Sequence, residues 1–86
     1  MSMRKFNNCY NVICENLAKY RKEKYMSQAD LVKELNLLGI NMHKNDIYLI
    51  EANKRTVRDY ELWGMMKILG VSFEDLIKGI EKKIEK

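Results

Sequence analysis

The chain has 86 residues, no proline, four glycines and a net charge of +4, which suits one small all-α domain and gives no support to closely spaced strands with hairpin turns. Neither an apolar signal run at the N-terminus nor an apolar stretch near the ~20 residues that span a bilayer is present, so a cytoplasmic protein is expected. Cys9 and Cys14 stand five apart without a CxxC pair, and with His43 as the one histidine no metal-ligand spacing exists; no metal or cofactor is expected.

Period and capping chemistry predict five helices. The first covers about 7–24, where Phe6, Tyr10, Ile13, Leu17 and Tyr20 recur at spacings of 4, 3, 4 and 3 and form one apolar stripe. Lys19, Lys22 and Lys24 fall largely off it. The second opens at Ser27, an N-cap with Asp30 at the third helical position. It turns Leu31, Val32, Leu35 and Leu38 inward and stops at Gly39. The third, at about 44–52, points Ile47 and Ile50 inward and leaves Lys44, Asn45, Tyr48 and Leu49 outside. His43 stands at its cap, and Asn53 ends it in the left-handed conformation that asparagine tolerates. The fourth starts near the capping-box pattern Thr56-x-x-Asp59 and runs to Leu69 with Leu62, Met65, Met66 and Leu69 inward; Gly70 stops it. The fifth starts at Ser72-x-x-Asp75 and sets Phe73, Leu76, Ile77, Ile80 and Ile84 on one side. The core of the domain is expected over about 7–78, with a helical extension over 79–86.

Charge is placed unevenly. Residues 1–26 hold six basic and two acidic side chains, while 27–55 balance at four and four and 56–86 at six and six. A basic N-terminal third steers a protein toward phosphate, although many soluble domains carry such a charge only to stay dissolved.

The order of motifs is more specific. Arg21 and "YMSQADLVKEL" come first, then "HKNDIYLIEANKR", then "YELWGMMKILGVSFEDL". This order resembles the lambda-repressor/Cro-like helix-turn-helix (XRE) family of DNA-binding regulators over about residues 12–78. The resemblance is carried by the arginine before a Ser-Gln opening, by Ile47-x-x-Ile50-Glu51, by the Asn-Lys-Arg that follows, and by the Leu-Gly-Val-Ser before the last helix. It implies a compact lambda-repressor-like helix-turn-helix domain whose third helix lies in the major groove of double-stranded DNA. Gln28 would then touch a phosphate from the start of the second helix. Lys44, Asn45 and Tyr48 would meet bases or flanking phosphates, and His43 a phosphate. Lys54 and Arg55 would sit on the DNA backbone, and Arg21 and Glu51 would form an internal ion pair. Departures from the family pattern are the longer connection at 36–42, Val32 and Met66 where alanine is usual, and His43 and Arg58 in place of small hydroxyl caps.

Asp46 leaves two readings open. Its carboxylate can turn back to cap its own helix, or it can accept a hydrogen bond from cytosine N4 in the groove. The C-terminal stripe also leaves two: Ile80 and Ile84 pack on a second copy, giving a homodimer suited to a palindromic operator, or they fold over Phe6.

A transcriptional regulator, acting as a repressor, is the function this reading supports. The alternative is a protein-interaction module or an antitoxin on the same fold, whose protein partner would be met by Tyr48 and Leu49. An enzyme is not expected, because no paired His and carboxylate, glycine-rich phosphate loop or activated nucleophile is present.

Overall fold

The computed structural model describes residues 9–84, all helix and connection apart from an isolated bridge at Cys9. Its helices are α1 (Cys14–Glu23), α2 (Gln28–Leu37), α3 (Lys44–Glu51), α4 (Asp59–Leu69), α5 (Phe73–Leu76) and α6 (Ile80–Ile84). None of the described helices is long and apolar enough to cross a membrane. The core is built from Leu17 of α1, Leu31 and Leu35 of α2, Ile47 and Ile50 of α3, and Met65, Leu69 and Leu76 beyond them, all at most 3% exposed. Here α2 packs against both α3 and α4, while α1 packs against α3 and α5.

Local chemistry accounts for most helix ends. The Ser27 hydroxyl accepts from the Asp30 N–H at 3.0 Å while the Asp30 carboxylate accepts from the Ser27 N–H at 2.9 Å. Ser72 and Asp75 repeat this box at 2.9 and 3.0 Å. In both, the backbone hydrogen bond and then the serine hydroxyl hold the carboxyl below the ordinary aspartate range. At the other end of α2, Gly39 has φ +88°. Its N–H bonds Asn36 O at 3.0 Å and the Ile40 N–H bonds Leu35 O at 3.0 Å, a Schellman closure with its hydrophobic contact.

That closure explains the long 36–42 connection. Ile40 and Met42 turn back into the core at 6% and 1% exposure, and the Met42 N–H bonds Asn36 Oδ1 at 3.3 Å. The extra residues therefore add core instead of a free loop. Gly64 of α4 is where this insertion is accommodated: a Cβ there would collide with Ile40 Cδ1 and stand 2.9 Å from Leu35 Cδ2. Gly64→Leu should cost about 1–3 kcal/mol through overpacking, read as a lower urea midpoint at unchanged m-value.

Four expectations are corrected. The first helix begins at Cys14, not near Asn7, because the Asn11 side chain takes the backbone elsewhere. Asn11 Oδ1 accepts from the Ile13 N–H at 3.1 Å, and Asn11 Nδ2 donates to Ile50 O at 3.0 Å and Arg55 O at 2.9 Å. A side chain that satisfies its own backbone two residues on competes with helix. Thr56 is not the cap of the fourth helix. Arg58 stands at the cap and Glu61, three residues later, accepts the Arg58 N–H at 2.9 Å. The fifth helix is two short ones, α5 and α6, separated by a turn that ends at Gly79, φ +89°, so its stripe is interrupted. Phe73 is 43% exposed and Leu38 36%, so neither is a core residue. Phe6 lies outside the described residues.

Candidate nucleic-acid interface

The ends of α1 and α3 are tied together by one buried ion pair, and the start of α2 is hydrogen-bonded to it. Arg21 Nε lies 2.7 Å from Glu51 Oε2 and Arg21 Nη2 lies 3.0 Å from Glu51 Oε1, with both side chains 8% exposed. The third guanidinium nitrogen, Nη1, donates to Met26 O at 2.7 Å, so the same arginine fixes the α1–α2 corner. Gln28 Nε2 donates to Glu51 Oε1 at 3.0 Å. One Gln28 N–H is thus committed, leaving the other proton of that amide for a ligand.

Gln28, Lys44, Asn45 and Tyr48 line one shallow depression of about 470 Å³. Four of the residues singled out from sequence are thereby brought to one surface. Lys44 and Asn45 are exposed at the start of α3, and Tyr48 is 49% exposed one turn later. Beneath them Ile47 and Ile50 are fully buried, which fixes the rotation of α3 about its axis. Leu49 is half-buried.

Asp46 turns back on its own helix. Its Oδ2 accepts from the His43 N–H at 2.8 Å, and its Oδ1 lies 3.5 Å from Arg55 Nε. A carboxylate at this position complements the helix dipole, and Arg55 compensates its charge. His43 itself caps α3 through its backbone and keeps its side chain exposed.

Lys54 and Arg55 part company. Lys54 is exposed, with its N–H bonded to Leu49 O at 2.8 Å in the closure around Asn53, φ +59°. Asn53 Oδ1 in turn accepts from the Tyr10 N–H at 2.8 Å, so the end of α3 is sewn to the N-terminal segment. Arg55 faces inward, its side chain 18% exposed. Its Nη1 donates to Thr56 O at 2.8 Å and Glu61 Oε1 at 2.9 Å, and its Nη2 to Glu61 Oε2 at 2.9 Å. Glu61, 1% exposed overall, is the buried charge that sequence reasoning missed. The signal was available: Glu61, Met65 and Leu69 are four apart, so a carboxylate heads an apolar stripe.

The chain matches no protein-family model and no curated protein. Among solved structures it is similar to the restriction-modification controller protein C.Esp1396I, crystallised as a tetramer in complex with its natural 35 base-pair operator. The likeness has a TM-score of 0.66 at 29% identity and covers 96% of this chain and 100% of that one.

Proposed function

We propose that this protein is a sequence-specific DNA-binding transcriptional regulator that presents α3 to the major groove and represses a promoter it occupies. One observation carries the reading: Gln28, Lys44, Asn45 and Tyr48 share a single surface at the starts of α2 and α3. The likeness to an operator-bound controller over nearly the whole chain supports it. In this role Gln28 and the α2 N-terminus meet a phosphate, Asn45 pairs with adenine in bidentate fashion, and Lys44 donates to guanine or a flanking phosphate. Tyr48 closes the base-reading face, while His43 and Lys54 lie on backbone phosphates. Arg55 stands beside the same surface with its guanidinium held by Glu61, Thr56 O and Asp46, and the second Nη2 proton is what it offers a phosphate. Repression needs occupancy alone. A second copy joined through α6 would set two α3 helices on half-sites about 34 Å apart.

Selection from a random duplex pool at several salt concentrations tests this. Binding should weaken steeply with salt and enrich a roughly palindromic sequence. Asn45→Ala should then relax one position at a cost of about 1–3 kcal/mol, whereas Lys54→Gln should weaken all sequences alike and lower the salt slope by about one. No binding to any duplex at low salt would sink the reading and turn attention to a protein partner for Tyr48 and Leu49.

A further inference from the structure

The corner between α1 and α2 holds a residue in an expensive backbone state. Tyr25 has φ +59°. Its N–H bonds Lys22 O at 2.9 Å and the Met26 N–H bonds Arg21 O at 3.1 Å, the same closure that Gly39 and Asn53 make. Glycine and asparagine enter the left-handed region cheaply, but a bulky aromatic does not. Among the described residues no side-chain contact of Tyr25 offsets the cost. The Tyr25 side chain is 95% exposed and makes no hydrogen bond or ring contact among the described residues. Strain kept at a surface position points to use in a complex.

The setting identifies the partner. Tyr25 stands three residues before Gln28, so its Cα lies within about 11 Å of that residue's. The corner is clamped through Met26 O to Arg21, and Arg21 to the Glu51 carboxylate that also holds Gln28. Tyr25 is therefore fixed relative to the base-reading depression. Exposed Lys22 and Lys24 stand within three residues of it in the chain, with Glu23 between them and Asp30 five residues on, held in its capping box with Ser27. A phenolic O–H among ammonium groups suits a row of phosphates. Duplex DNA presents one phosphate charge per ~1.7 Å of axis, so one that meets Gln28 brings others past this corner.

We propose that Tyr25 is a DNA-backbone anchor whose hydroxyl donates to a phosphate beside the one met by Gln28. It rests on the function proposed above and adds a contact outside the helix-turn-helix surface. The contact fixes how the domain sits on the duplex and carries no base information.

The test measures binding to mixed-sequence duplex DNA by anisotropy at low salt, together with thermal unfolding. Tyr25→Gly should melt about 4 °C or more above the unsubstituted chain, because strain is relieved. The same variant should bind about five- to tenfold more weakly. Gain of stability with loss of binding cannot come from misfolding. Tyr25→Phe should leave the melting temperature unchanged and show a similar loss, with the salt slope unaltered because no cation is removed. Wild-type affinity in Tyr25→Phe overturns the anchor whatever Tyr25→Gly does, as does a Tyr25→Gly that melts lower. Unchanged affinity with a lower sedimentation coefficient also overturns it, giving the corner to a second copy. If the unsubstituted chain binds no duplex at all, the function proposed above fails first, and separately.

Discussion

Glu61→Ala should cost about 3–5 kcal/mol, a large share of the ~5–15 kcal/mol that holds a small domain together. The carboxylate takes two hydrogen bonds from Arg55 and one from the Arg58 N–H at a site 1% exposed. Its removal leaves a partly buried guanidinium with only Thr56 O and the longer Asp46 contact, and uncaps α4. Urea unfolding measures the loss directly. Glu61→Leu combined with Arg55→Met should recover most of it, since a buried pair is worth little beyond apolar side chains of similar volume. Acid gives a second reading. Burial pushes the Glu61 carboxyl up, but the hydrogen bonds from Arg55 and the Arg58 N–H, with the charges of both arginines, outweigh it and hold the carboxyl below 4.5. A depressed carboxyl contributes stability above its unfolded value and loses it as pH falls through the folded one. Stability should therefore decline below about pH 4.5 in the natural chain, and less steeply in the Leu/Met double variant.

What was legible in the sequence was local. Ser27 with Asp30, Ser72 with Asp75, Gly39 and Asn53 close their helices through partners within five residues, and each is recognisable from residue type and spacing. The inward faces at Leu31, Leu35, Ile47, Ile50, Met65 and Leu69 follow from period alone. What escaped was decided at a distance. Asn11 gives up helix for carbonyls 39 and 44 residues away, and periodicity cannot register such partners. The cap of α4 fell to Arg58 with Glu61, a carboxylate that also serves Arg55, a partner outside its helix. Tyr25 escaped for a different reason: residue preferences argue against a bulky aromatic at φ +59°, so only the backbone reveals it. At the candidate interface, the sequence marked Gln28, Lys44, Asn45 and Tyr48 one by one, and their meeting on a common surface follows from the packing of α2 against α3, with Gln28 bonded to the paired Glu51.

The Arg21–Glu51 pair supports the second large expectation. Arg21→Ala should cost about 3–5 kcal/mol, because the Glu51 carboxylate, 8% exposed, keeps only the Gln28 amide and Met26 O loses its donor. The double variant Arg21→Met, Glu51→Met separates folding from recognition. Two apolar side chains of similar length should restore most of the urea midpoint. Duplex affinity should not return. Without Glu51, Gln28 has lost the acceptor that orders it and must give up rotamer freedom on binding, about 0.5–1.5 kcal/mol or roughly two- to tenfold in affinity. The corner carrying Tyr25 is released as well. Stability near that of the natural chain with DNA binding still depressed would show that the pair orders the reading surface. Full recovery of both would reduce it to a packing element that apolar side chains replace.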